Sequence, residues 1–331
     1  MPGDGLRGAD GNIAAPPYSN GPYVMTEHIT FAGGISGANT PGSVWYVDGE
    51  KGSSGGSGKS WSTAVDTIQA AVDLSGDNTG DVIYVAPHKY TENVIVEDHE
   101  GLSIIAIVPG WTTSIRASDA TVKYAGTTAG YTAGGYCFLL LSRNVTVSGF
   151  CCDADGAYGG VYVGDGGAIT AVSGLPTATD NNSANCVVHN CLIRSGSVGV
   201  ALHGSSDNVL ITGNVFSEQK GVDVAVLAGT GRTNQRPIIR ANTFFAGASS
   251  TYGVDENNSA TNVGTLVDRN VFVDRGGTYT HAIRFQAAGV NFITGNYFCC
   301  TNTYSAPATD WQSGNYKPIA GNTVSYVEME A

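Results

Sequence analysis

Ile238-Ile239-Arg240-Ala241-Asn242-Thr243-Phe244 is answered 28 residues later by Leu266-Val267-Asp268-Arg269-Asn270-Val271-Phe272. The same phrase, an apolar pair, then Asn, then an apolar or aromatic pair, recurs as Leu210-Ile211-Thr212-Gly213-Asn214-Val215-Phe216 and Phe292-Ile293-Thr294-Gly295-Asn296-Tyr297-Phe298. Shorter forms are Val187-Val188-His189-Asn190 and Ile319-Ala320-Gly321-Asn322. Asn190, Asn214, Asn242, Asn270, Asn296 and Asn322 are separated by 24, 28, 28, 26 and 26 residues. A near-constant period built on β-branched and aromatic residues predicts one short supersecondary unit, repeated and stacked. The asparagines are expected to be structural corners. Asn tolerates the left-handed backbone region better than any residue but Gly, and stacked units would join the amides in a ladder at the strand spacing of roughly 4.8 Å.

Composition agrees with a solenoid. Of 331 residues only 13% are charged while 46 are Gly, so tight turns and buried strands are expected rather than charged amphipathic helices. A net charge of −12 with 16 basic residues, none clustered, excludes a phosphate-neutralising nucleic-acid surface. No apolar run reaches the roughly 18 residues of a membrane span, and Met1-Pro2-Gly3-Asp4 does not open a secretory signal. Seven cysteines, Cys137, Cys151, Cys152, Cys186, Cys191, Cys299 and Cys300, lie at irregular spacing, mostly in strand-like runs, and read as small buried apolar residues. No Cys-x-x-Cys or matching His spacing points to a metal, and no cofactor is expected.

Three regions follow in chain order. Residues 1–43, rich in Gly, Pro and Asn, are expected to form an extended arm that makes assembly contacts. Residues 44–80 carry the strand Val44-Trp45-Tyr46-Val47, a Gly-rich loop and a capping helix with Ser62 as N-cap, Val65, Ile68 and Val72 on its apolar face and Gly76 as its stop. Such a helix would cover the open end of a strand stack. The loop Gly55-Gly56-Ser57-Gly58-Lys59-Ser60 fails as a phosphate-binding loop because Ser53 stands where its first glycine belongs. Residues 81–331 hold the repeated strands, with loop insertions expected near 119–135, 153–185 and 300–317.

Tyr46-Val47-Asp48-Gly49, Thr67-Ile68-Gln69-Ala70-Ala71-Val72, Gly80-Asp81-Val82-Ile83-Tyr84-Val85-Ala86-Pro87 and Tyr90-Thr91-Glu92-Asn93-Val94 resemble the opening of pectin-lyase-like right-handed parallel β-helix proteins. The match is close over residues 44–96 and looser to Val327; it departs at His88, where the family usually turns on Gly. The resemblance implies an all-β fold, a right-handed parallel β-helix of about nine coils and on the order of 45 Å long at the strand spacing. It covers polysaccharide lyases and hydrolases as well as phage spikes and other virion proteins, so it implies fold more narrowly than function.

Carbohydrate chemistry on a β-helix face needs two carboxylates at a set separation, or a base beside a cation-stabilised carboxylate. Strict alternation along Val198 to His203, Val222 to Val226, Tyr252 to Asp255 and Ala282 to Phe285 sends His203, Asp223, Asp255 and Arg284 outward as one polar strip. Asp223 or Asp255 would be the acid or base, with Arg284 neutralising a uronate. Ordinary solvated residues are the competing reading. Polygalacturonase-like signatures are missing, since no preceding Gly accompanies His203-Gly204 and no Asp-Asp pair occurs.

Two function classes follow. The first is a structural protein of a phage-like virion, a capsid decoration, short spike or fibre, expected as a homotrimer contacting capsid or tail proteins. The second is a polysaccharide lyase, a glycoside hydrolase or a non-catalytic module binding surface glycan. The location expected is the virion, or the extracellular space in the second case.

Overall fold

The computed structural model describes residues 42–77, 80–108, 113–116, 135–154, 159–164, 183–204, 206–227, 236–257, 264–286, 290–307, 310–319 and 323–326. The expected arm lies outside them up to residue 41, as do Asn322 and residues 119–134 of the first insertion. The repeated phrase builds three sheets, which the chain visits in turn. Sheet 1 has ten strands, running from Val44–Val47 and Val82–Val85 to Phe292–Thr294 and Trp311–Ser313. Sheet 2 also has ten, from Lys89–Thr91 to Tyr316–Ile319 and Thr323–Tyr326; sheet 3 has eight, from Val94–Val96 to Tyr304–Ser305. Every pairing is parallel except the last of sheet 2, where Thr323–Tyr326 folds back antiparallel. This is the right-handed parallel β-helix.

Coil length is read from one column of sheet 1. Val82, Ser103, Thr146, Val187, Leu210, Ile238, Leu266, Phe292 and Trp311 are successive partners, giving spacings of 21, 43, 41, 23, 28, 28, 26 and 19 residues. The two long coils hold the insertions near 119–135 and 153–185, although Gly159–Gly164 within the second is a strand of sheet 3. The stretch 300–317 is not an insertion but a shortened coil carrying Tyr304–Ser305 and Trp311–Ser313.

Inward residues stack like on like. Phe216, Phe244, Phe272 and Phe298 form a column with ring centroids 4.8, 4.6 and 5.3 Å apart. Val188, Ile211, Ile239, Val267 and Ile293 form another, all at 0% exposure. Parallel strands buried on one face by such columns need no charged partner, and the low charge content follows.

The corner between sheets 1 and 2 corrects the sequence reading by one residue. Asn214, Asn242, Asn270 and Asn296 do form a buried ladder, but the left-handed residues are those before them: Gly213, Ala241, Arg269 and Gly295. In each step the Asn accepts from the backbone N–H and side-chain amide of the Asn one coil back, and donates to a carbonyl of the preceding coil. Asn190 is itself left-handed, at φ 54, and sits outside the ladder; Cys191 takes the ladder place and its N–H donates to Asn214 Oδ1 at 2.9 Å. At the far end Asn315 accepts from Asn296 at 3.0 Å. A second ladder escaped the sequence reading. At the corner between sheets 3 and 1, the left-handed Asn144, Asn185 and Asn208 are joined amide to amide at 3.1 and 3.2 Å.

The first coil is capped as expected, by a different helix start. Trp61–Thr63 make a 3-10 turn, Val65 bridges to Val47, and the helix runs Ile68–Leu74 with Thr67 as N-cap. Ile68, Ala71 and Val72 are its buried face. Glu92 accepts from the Ile68 and Gln69 N–H groups at 2.9 Å each, satisfying two orphan donors of the helix start. Lys59 of the Gly-rich loop lies 3.2 Å over the Trp45 ring, a structural cation–π contact.

Candidate functional site

The strands of sheet 3 do not alternate strictly, and that decides where the four candidates point. Val198 pairs with Val222, and Val200 with Val224; the residues between, Gly199 and Asp223, turn inward together with the valines that follow them. A Cβ on Gly199 would come within 2.8 Å of the Phe216 ring, and one on Gly253 within 2.7 Å of the Phe272 ring, so this column faces the core. Asp223 is in that column. The expected outward position of Asp223 is therefore wrong: it lies inside the helix, at 0% exposure.

There Asp223 Oδ2 accepts from the Tyr279 hydroxyl at 2.6 Å, and Oδ1 has no hydrogen-bond partner among the described residues. Among the described residues Tyr279 is the largest fully buried side chain. Burial holds the Asp223 carboxyl well above its usual range, the Tyr279 hydroxyl offsetting part of the effect. Burial thus disfavours the charged form, and the carboxyl acts as a core hydrogen-bonding group.

This has a pH consequence with a definite sign. Below about pH 3.9, the unfolded-chain value, both states hold the proton. Above it the unfolded chain releases the proton while the fold retains it, so stability falls by up to about 1.4 kcal/mol per pH unit until the raised folded value is passed. Asp223→Asn removes this slope. The variant is expected to melt above the wild type at pH 7 and no higher than it at pH 4; parallel melting curves across that range would contradict a neutral buried Asp223.

Asp255 and Arg284 do face outward, side by side on adjacent strands. They are not free for chemistry. Arg284 Nε and Nη2 reach Asp255 Oδ1 and Oδ2 at 2.6 and 2.7 Å, its Nη1 donates to the Tyr252 hydroxyl at 2.6 Å, and the guanidinium lies 3.7 Å over the Tyr252 ring. The Asp255 side chain is 0% exposed and that of Arg284 22%. His203 is two strands away on the same side, 4% exposed, with Nδ1 3.3 Å from the Tyr162 hydroxyl. The expected strip is thus divided. The sheet lies between Asp223 and the other three, and none of the carboxylates meets solvent.

Among the described residues no three His, Cys, Asp or Glu side chains converge to hold a metal ion. All seven cysteines are free and six are buried, Cys299 being the exposed one. Burial pushes the Cys186 and Cys191 thiols up to about 12, against the thiolate a soft metal requires.

The family model described as "Periplasmic copper-binding protein (NosD)" matches residues 118–326. The chain belongs to the NosD family. Copper is part of that family's description, but the described residues of this NosD-family chain do not fit a copper centre: no ligand set converges and the thiols are held protonated. No curated protein matches the chain. Among solved structures it is similar to ORF18 of Geobacillus virus E2, at 13% identity and TM-score 0.42 over 76% of this chain, which spans 57% of that protein. It is similar also to the rice weevil pectin methyl esterase, at 12% identity and TM-score 0.42 over 77% of this chain and 87% of that one. A third is the pectin methylesterase PemA from Erwinia chrysanthemi, at 12% identity and TM-score 0.40 over 87% and 92%. No helix among the described residues is long and apolar enough to cross a membrane.

Proposed function

We propose that this NosD-family chain is a structural protein of a phage-like particle, a homo-oligomeric β-helix rod, with three copies as the starting expectation. One observation carries the reading: both candidate carboxylates are fully buried and committed to the fold, Asp223 to Tyr279 and Asp255 to Arg284. The sequence resemblance offered enzymes and virion proteins. An enzyme of the expected kind needs carboxylates that reach a glycosidic bond, and these are buried against Tyr279 and Arg284. The structural branch asks nothing of a titratable group, only a rod that resists unfolding, which the two Asn ladders and the Phe column supply.

Two measurements test it. Gold-labelled antibody raised against the chain is expected to decorate phage-like particles purified from the source culture, and a reducing-sugar and unsaturated-uronate assay over a glycan panel is expected to show no product. Unlabelled particles would remove the virion assignment. Product formation that disappears in Asp255→Asn would restore the enzyme.

A further inference from the structure

The outward side of sheet 1 carries more apolar surface than a solvent face requires. Val187, Leu210, Ile238, Leu266, Phe292 and Trp311 are successive partners in one column; the inward neighbours of the first five fill the core, and Trp311 continues their register, so these six face out. None is buried; Phe292 is 36% and Trp311 63% exposed. At the strand spacing the column runs about 24 Å. A water-facing side of a sheet is ordinarily polar, and a contiguous apolar stripe of this length marks a contact surface.

We propose that this face of sheet 1 docks a second copy of the chain. Three observations select that occupant. First, the stripe repeats at strand spacing over six coils, and another copy presents the same spacing, so side chains can interleave coil by coil along the rod. Second, the outward positions of these six strands hold only Arg240 and Asp268 as charged residues, one of each sign on adjacent strands. The face thus brings no net charge to a neighbour, while the chain as a whole carries −12. Asp268 is already met by Arg269 at 2.8 Å and by the Thr294 hydroxyl at 3.1 Å, so covering it strands no carboxylate. Burial also lowers the pKa of His189 on this face, keeping it uncharged at neutral pH.

Third, the size fits the centre of an interface. Six strands three residues wide give a flat footprint on the order of 240 Å², about a third of the 800 Å² that a standard interface buries per partner. Across the Asn corner, outward Leu192 and Val215, then Val271 and the 36% exposed Tyr297 beyond Thr243, extend the apolar surface onto sheet 2.

The inference rests on the homo-oligomer reading above and adds the surface to it. The test is light scattering after size exclusion on the full chain at micromolar concentration, for the wild type and for Leu266→Glu/Phe292→Glu, with circular dichroism to verify folding. The wild type is expected as an oligomer and the variant as a folded monomer. A milder Phe292→Ser, expected to weaken association at least tenfold, serves if the double variant does not fold. An oligomer that survives both changes overturns the surface and leaves the homo-oligomer standing. A wild type that stays monomeric overturns both and assigns the stripe to a different protein.

Discussion

Asn270→Ala is expected to lower the stability of the rod by about 4 kcal/mol, from four buried hydrogen bonds at about 1 kcal/mol each. Asn270 Oδ1 accepts from the Asn242 backbone N–H at 2.9 Å and its side-chain amide at 3.0 Å; Nδ2 donates to the Ile239 carbonyl at 2.9 Å and Asn296 Oδ1 at 3.0 Å. Alanine removes one partner from each of two donors and two acceptors at 0–1% exposed positions where water does not replace it, although Asn242 Nδ2 keeps the Ile211 carbonyl and Asn296 Oδ1 keeps the Asn270 N–H. At about 2 °C per kcal/mol for a domain of this size, the melting point falls by about 8 °C. Because coils contact only their neighbours, hydrogen exchange should accelerate first in the coils holding Asn242 and Asn296. Arg269→Gly is the control. It removes a left-handed non-glycine at φ 53 without touching the ladder, so it should leave stability unchanged or raise it slightly. If the two variants swapped these effects, the corner strain rather than the amide ladder would hold the coil.

The same pair of residues shows how far the sequence could be read. The period of 28 between Asn242 and Asn270 sufficed for a stacked repeat, and the resemblance carried by residues 44–96 implied that the repeat is a β-helix. It could not separate two jobs done by adjacent residues, turning the chain and bonding the coils. Asn, Gly, Ala and Arg all occur at the turning position, so the conspicuous Asn drew both roles to itself. Asn190 misled for the same reason: it turns the chain where Cys191 takes the ladder place.

Asp223 was misplaced by a different physical cause. Period-two counting holds only while pairing is regular, and the long strands of sheet 3 turn two consecutive residues inward. A signal for this exists. Gly160, Gly199, Asp223, Gly253 and Ala282 form one column of otherwise small residues, and a Cβ on any of its three glycines would meet the inward side chain of Ile193, Phe216 or Phe272 at 2.5, 2.8 or 2.7 Å. A lone Asp in a column of Gly and Ala marks a core position. No count of polar residues along the strand could show it.

Arg284→Ala should cost a similar amount, about 3–5 kcal/mol, and for an electrostatic reason. Asp255 keeps its place at 0% exposure while losing both bonds to the guanidinium, so the fold must carry a carboxylate away from water without its bidentate cation. Tyr252 loses its hydrogen bond and its stacked cation in the same step. Had the pair been a surface ion pair, the loss would be under about 1 kcal/mol, so the size of the effect discriminates the two descriptions. Asp255→Asn/Arg284→Gln should recover most of the loss, because two neutral amides of similar shape leave no charge to desolvate. Denaturant midpoints of the wild type, the single and the double variant, at equal slope, measure the coupling directly. A single variant within about 1 kcal/mol of the wild type would show that Asp255 reaches water after all. The face of sheet 3 would then be open to a glycan, and the catalytic reading would regain its carboxylate.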